Sequence, residues 1–230
     1  MRAAVMRSQR LVVDTVPEPE PAEGQVLVKT LACGICGSDL HALKHSGPRG
    51  SAPNPLDEVF GMDSSRDLIM GHEFCAEIVD HGPGCQKTLA AGTRVCSVPV
   101  AVGPGGVASV GYSNDIPGGY GELMVLTEAM LLPVPNGLST EGAALTEPVA
   151  VGVHAVEKAK LGADDVPMVI GCGPVGLAVI AALKLRGAAP IIAADYSPAR
   201  RRLAQTLGAE IVVDPAESRT HGTPAVSVWG

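Results

Sequence analysis

Residues 166–195, VPMVIGCGPVGLAVIAALKLRGAAPIIAAD, constrain the fold more than any other stretch of the chain. The run from Val166 to Leu183 carries no charge, and its length approaches that of a membrane span. Glycines and prolines interrupt it, so it reads as a buried strand, a sharp turn and a buried helix rather than a span. A glycine at 187 closes the helix, and PIIAAD is a second strand. A strand that enters a helix through Gly171, Gly173 and Gly176 in G-x-G-x-x-G spacing is the arrangement needed to bring a backbone close to a pyrophosphate.

Each glycine has its own task in this reading. Gly171 allows the tight turn, Gly173 lets the pyrophosphate approach, and Gly176 permits close packing of helix on strand. The free N–H groups of the helix N-terminus then face the phosphates. Asp195 ends the next strand, 19 residues after Gly176. There it would accept hydrogen bonds from the adenosine ribose and repel a 2′-phosphate, which favours NAD over NADP. Arg200 either stacks on the adenine or is a solvated helix charge.

Downstream, SPARRRLAQTLGA reads as a helix and EIVVDP as a third strand. Strands alternating with helices imply a parallel sheet. Upstream the texture differs. Short apolar runs (QVLVKT, CAEIVD, TRVCSV, GELMVL) lie between Gly, Pro, Asn and Asp, as in a small barrel or sandwich. The chain is therefore expected to be α/β with a β-rich domain over 1–148 and a partial parallel α/β domain over 149–230. Residues 45–67 and 99–119 read as long irregular loops.

The net charge of −7 gives no reason to expect nucleic acid or an anionic membrane surface as partner. Hydrophobic residues at 46% and charged residues at 18% suit a globular chain. Six cysteines in 230 residues are too sparse for a disulfide scaffold. The amino terminus has no apolar core of signal-peptide length, so a cytoplasmic location is expected.

CGICGSDLH, residues 33–41, places Cys33, Cys36, Ser38, Asp39 and His41 close together. A redox pair would need a βαβ setting that this β-rich half does not offer. A four-cysteine zinc site would need a second close pair, which Cys75, Cys85 and Cys96 do not form. The third reading takes Cys36 alone as a ligand. GHEFCAEIV, residues 71–79, adds His72 and Glu73, and thiolate, imidazole and carboxylate together suit zinc. Taken singly, His72 reads better as a hydrogen-bonded core histidine than as a ligand.

CGICGSDLH, GHE, TEPVAVGVHA and GCGPVG follow one another along the chain. This ordered set resembles the zinc-dependent medium-chain dehydrogenases of the alcohol and polyol type, from residue 1 to about 215. The resemblance implies a GroES-like β-barrel catalytic domain, then a Rossmann parallel sheet, with the active site in the cleft between them. It implies Cys36 and His72 as zinc ligands, with Glu73 or Glu147 completing the protein ligands. Ser38 would take the substrate proton, His41 would end the relay to solvent, and Asp39 would orient His72. Cys33 matches no ligand position. The implied reaction moves a hydride between a primary or secondary alcohol, or a polyol, and NAD. Full-length relatives are expected to be homo-oligomers; for this chain that is in doubt.

Two departures from the family pattern accompany the resemblance. The lobe whose four cysteines hold a structural zinc in many members contains only Cys96 here, so one catalytic zinc and no structural zinc is expected. The Rossmann half stops after its third strand, and AESRTHGTPAVSVWG does not look like its continuation. A truncated chain with weak or no turnover is therefore expected. A catalytically inactive zinc-binding fragment is the alternative, and a zinc-free quinone reductase is a third reading, opposed by Cys36, His72 and Glu73.

Overall fold

The computed structural model describes residues 1–45, 62–63, 65–103, 105–135 and 137–217. The chain divides into two compact units at Glu147/Pro148.

In the first unit five antiparallel strands form the main sheet: β3 (Gln25–Cys33), β4 (Phe74–His81), β5 (Arg94–Ser97), β8 (Leu123–Thr127) and β9 (Leu131–Pro133), in the order β8-β3-β4-β5-β9. Their inward residues make one core of Val26, Val28, Phe74, Ala76, Ile78, Val95, Met124 and Leu126. Burying each of the larger aliphatic side chains contributes about 1.5–3 kcal/mol. A separate hairpin of β1 (Arg2–Arg7) and β2 (Arg10–Thr15) is fastened by the bridges Ala3↔Gly121 and Met6↔Leu68.

The structure corrects the expectation of an irregular loop over 99–119. β6 (Val100–Gly103) and β7 (Gly106–Ser109) pair as a hairpin, from Val100↔Ser109 to Gly103↔Gly106. Its alternating valines are flanked so closely by glycine and proline that composition hid the period-two pattern. The β-rich half also holds an unanticipated helix, α1 (Gly37–His45). A second short helix, α2 (Thr140–Ala144), is capped by the Ser139 hydroxyl, which accepts from the Gly142 N–H. Most of the expected loop at 45–67, and the tail from residue 218, lie outside the described residues.

The second unit is built on β10 (Met168–Ile170), β11 (Ile192–Ala194) and β12 (Ile211–Val213), a parallel sheet in the order β10-β11-β12. α3 (Thr146–Ala159) leads into it, α4 (Pro174–Leu185) follows β10, and α5 (Pro198–Leu207) follows β11. Val156, Val169, Ile180, Leu183, Ile191 and Ala204 make its core. Pro174 and Pro198 begin their helices where a missing N–H costs nothing, and Ser197 caps α5. The uncharged run thus resolves into strand, turn and helix. Among the described residues no helix is long and apolar enough to cross a membrane.

Candidate metal centre and dinucleotide loop

Strand register creates the first site. β3 and β4 are antiparallel with Cys33 opposite Phe74, so residues just after β3 lie beside those just before β4. The Gly34 N–H donates to the Glu73 carbonyl at 2.7 Å and closes this corner. β3 is antiparallel to both neighbours, which removes the parallel setting that a redox Cys-x-x-Cys needs. Cys33 instead packs against the main core. Burial and the Asp39 charge push its thiol up to about 12, far from the reactive range.

Cys36 is the N-cap of α1. Its carbonyl accepts from the Leu40 N–H, and the Ser38 hydroxyl and N–H both bond to its sulfur. Burial raises the thiol pKa, and these two donors oppose that rise. Asp39, three residues into the helix, reaches back to accept from the Cys36 N–H at 3.0 Å. Asp39, at the third helical position, thus supplies the returning arm of a capping box.

His72 and Glu73 enter from the other strand, and both are buried. Their segment is held by Gly71, whose φ of +99° places it in the left-handed region and whose carbonyl accepts from the Gly119 N–H at 2.8 Å. Donor atoms of Cys36, His72 and Glu73 all lie within 4.8 Å of one another. Tetrahedral ligation at zinc distances separates ligand atoms by about 3.4–3.8 Å, so side-chain adjustments of about an ångström suffice.

The His72 Nδ1 atom lies 3.4 Å from Asp39 Oδ1, yet it is buried without a formed hydrogen bond because the two are not aligned. Burial works against a charged imidazole here, but Asp39, Glu147 and Glu73 together hold its pKa above the ordinary value. Three carboxylates around one thiol and one imidazole need a positive charge in their midst, and an orphaned ring nitrogen beside Asp39 needs a fixed tautomer. A bound divalent metal supplies both conditions. The donor set therefore fits zinc.

Asp39 is the hub behind the ligands. Besides the Cys36 N–H it accepts the Tyr120 hydroxyl at 2.9 Å, and the Tyr112 hydroxyl lies 3.2 Å from its other oxygen. Burial would raise its pKa, but His72, the Cys36 N–H and Tyr120 outweigh burial and keep it ionised. Tyr112 also donates to Ser38 Oγ at 2.7 Å, and its ring stands 5.2 Å from that of His72. Neither tyrosine was singled out from the sequence. The available signal was their rarity: two of the three tyrosines fall in the Gly-rich stretch 111–121.

His41 is exposed, one turn beyond Ser38 on α1. Glu147 is half-buried in the first turn of α3. Its carboxylate lies outside the three-residue cluster but close enough to act on His72. Burial raises its pKa, and Glu73 and Asp39 add to that rise against the pull of His72.

A Cβ on Gly34 would overlap Glu73 Oε2. The end of a flexible side chain can move aside cheaply, so Gly34→Ala is expected to fold with little loss of stability. The displaced carboxylate should lower zinc affinity on the order of tenfold or more, as when a ligand loses its positioning. Competitive chelator titration alongside thermal unfolding separates the two effects; unchanged affinity would remove Glu73 from the ligand set.

The second site is the turn between β10 and α4. Gly171 has φ +91° and its N–H donates to the Ala194 carbonyl at 2.8 Å. Gly173 caps α4 with open space where a Cβ would stand, whereas a Cβ on Gly176 would overlap the Gly171 carbonyl oxygen. Asp195 is buried, with Oδ2 accepting from the Cys172 N–H at 2.8 Å and Oδ1 from the Ser197 N–H at 2.7 Å. These two bonds hold its carboxyl below the usual range. Each oxygen keeps a further lone pair. The Arg200 guanidinium stands 3.8 Å from Oδ2 and is largely exposed.

Comparison with known proteins identifies the family. Residues 22–136, half of the chain, match the family model for the alcohol dehydrogenase GroES-like domain, and residues 174–226 match that for zinc-binding dehydrogenase. The chain is 37% identical to (R,R)-butanediol dehydrogenase of Bacillus subtilis, across 95% of this chain and 64% of that protein. It is 33% identical to sorbitol dehydrogenase of the same organism, across 94% of this chain and 62% of that protein. The crystal structure of 2R,3R-butanediol dehydrogenase from Bacillus subtilis superposes with a TM-score of 0.76 at 36% identity, covering 94% of this chain and 63% of that one. The chain thus spans less than two thirds of the length of these relatives. With a GroES-like β domain, a partial Rossmann sheet and the ordered motifs in place, the chain belongs to the zinc-dependent medium-chain dehydrogenase family of alcohol and polyol type.

Proposed function

We propose that the chain holds one zinc ion through Cys36, His72 and Glu73, with Glu147 as the next carboxylate, and serves in NAD-dependent oxidation of alcohols. Vicinal diols and polyols are the favoured substrate class, by analogy with the butanediol and sorbitol dehydrogenases it resembles. The observation that carries this reading is the cluster of three chemically different zinc donors at one strand corner.

Bound zinc supplies a Lewis acid for the alcohol oxygen, and bound NAD supplies the hydride acceptor. The chain's own residues prepare the rest. Asp39, 3.4 Å from His72 Nδ1, is placed to accept its proton once the ring turns into line, which would leave the Nε2 lone pair for the metal. The Ser38 hydroxyl receives the proton of the substrate hydroxyl, with its direction set by the Tyr112 phenol at 2.7 Å. His41, one helical turn on, passes the proton to solvent. The N-terminus of α4 takes the pyrophosphate, and Asp195 takes the adenosine ribose.

The test combines zinc analysis with NADH formation on a panel of primary alcohols, secondary alcohols, 2,3-butanediol and sugar alcohols. Diol-dependent NADH formation that vanishes on chelation supports the reading. Zinc retention without NADH formation on any alcohol would instead leave a zinc-binding fragment without turnover.

Cofactor choice carries its own expected outcome. Asp195→Ser should narrow the preference for NADH over NADPH by about tenfold or more, since it removes the charge that repels a 2′-phosphate and a charge-assisted bond of about 1.5–3 kcal/mol. Dissociation constants from nicotinamide fluorescence measure it. A wild-type chain that binds NADPH more tightly would overturn the assignment.

A further inference from the structure

We propose that Cys75 and Cys96 are a redox pair which closes to a cross-strand disulfide on exposure to a small-molecule disulfide such as oxidised glutathione. Neither residue belongs to the metal centre or the dinucleotide loop. Cys75 lies on β4 and Cys96 on β5, strands paired antiparallel with Ala76 opposite Val95 and Glu77 opposite Arg94. Continuing that register by one residue sets Cys75 opposite Cys96.

The Ile78 N–H donates to the Thr93 carbonyl, which makes Glu77/Arg94 a non-hydrogen-bonded pair. By alternation Cys75/Cys96 is another. Such pairs have Cα atoms about 4.5 Å apart and side chains on the same face. That spacing falls at the short end of the range a disulfide spans, about 4.4–6.8 Å. The two side chains share one small buried cluster with Ala143 and Ala144.

Closure removes one hydrogen from each thiol and forms the Cys75–Cys96 bond. The glutathione disulfide bond breaks, accepts the two electrons and two protons, and leaves as two glutathione thiols. Both thiols are buried, so the first attack waits on an opening of the sheet and closure is expected to be slow. Once either sulfur carries glutathione, the other is placed to displace it. The reduced Cys96 thiol donates to the Ala143 carbonyl at 3.1 Å. That carbonyl still accepts the Thr146 hydroxyl at 2.7 Å after closure, so bridging strands no buried acceptor. A dithiol such as dithiothreitol reverses the step by the same exchange. The bridge would tie the strand that begins just after Glu73 to its neighbour.

The experiment incubates the zinc-loaded full chain with oxidised glutathione, denatures it, alkylates the remaining thiols, and maps cysteine states by peptide mass spectrometry with fragmentation. The expected result is loss of most alkylatable thiol at both positions, with a joined Cys75–Cys96 peptide that dithiothreitol separates. In Cys75→Ala the joined peptide should be absent and Cys96 should again be alkylated. The proposal is overturned if both cysteines of the wild-type chain remain alkylatable, if each carries its own glutathione, or if the bridge formed joins Cys33 to Cys36.

Discussion

Exchanging Cys36 for serine is expected to give a chain that folds as before and holds almost no zinc. The two roles of Cys36 separate cleanly under this change. As N-cap of α1 its sulfur takes bonds from the Ser38 hydroxyl and N–H. Serine is a strongly preferred N-cap and accepts the same bonds at shorter range. Asp39 keeps its bond from the Cys36 backbone N–H, because that group is unchanged. Helix and corner should therefore persist or gain slightly. As the proposed ligand, however, the thiolate is the softest and most strongly zinc-binding donor of the cluster, and a neutral hydroxyl does not replace it. Loss of outer partners alone costs about 10–100-fold in metal affinity, so loss of the thiolate should exceed that. Elemental analysis after desalting should fall from about one zinc per chain to a small fraction, while urea unfolding of the metal-free proteins stays level. Full zinc content in the variant would move the centre elsewhere.

The parts of this site that were legible in the sequence are those whose chemistry is carried by residue type. A thiol, an imidazole and a carboxylate stand out in any β-rich chain, and the glycine spacing at 171–176 is a backbone requirement written directly into the sequence. Asp39 was legible only through the family resemblance. The partners that fix these groups were not. Tyr112 and Tyr120 reach Ser38 and Asp39 from a stretch more than seventy residues away, and nothing local marks a tyrosine as one that turns inward. Gly34 is needed because Glu73 fills the space a Cβ would take, a fact about two strands in register and not about either segment alone.

Element types show the same division. β10, α4, β11 and α5 were readable because long apolar periodicity, proline at helix starts and glycine at helix ends agree. α1 was not, because a nine-residue helix with a cysteine cap and few apolar residues has almost no periodic signal of its own. Contact with the second core cluster of the first unit holds it, through buried Ala42 packed with Met6, Leu68, Met70 and Tyr112. The β6–β7 hairpin failed for the opposite reason: its strands are four residues each, too short to outweigh the glycines around them.

Gly176→Ala is expected to destabilise the second unit by about 2–3 kcal/mol, the upper part of the usual cost of forcing extra volume into a packed interior. An alanine Cβ at this position overlaps the Gly171 carbonyl oxygen, with Val169 Cγ1 a further 3.5 Å contact. The loop cannot yield easily, because the Gly171 N–H is bonded to the Ala194 carbonyl on β11. The helix cannot yield easily either. α4 buries Ile180 and Leu183 in the core, and Gly152 of α3 lies so close to it that a Cβ there would stand 2.7 Å from Ala178 Cβ. Helix and loop are thus clamped, and one methyl must strain both. Gly173→Ala provides the contrast within the same motif. Gly173 has φ −74° and ψ −175°, which alanine adopts freely, and no atom lies within 4 Å of its would-be Cβ. Its stability loss should stay near that of a weaker N-cap, about 1 kcal/mol or less, while the methyl stands where a pyrophosphate must approach. Urea unfolding and NADH titration of both variants should therefore give opposite orders: Gly176→Ala the larger loss in stability, Gly173→Ala a selective loss of binding in a chain that still folds. A Gly176→Ala chain within about 0.5 kcal/mol of wild type, the range of neutral surface changes, would mean that the loop moves aside and that this glycine is not what sets the helix against the strand.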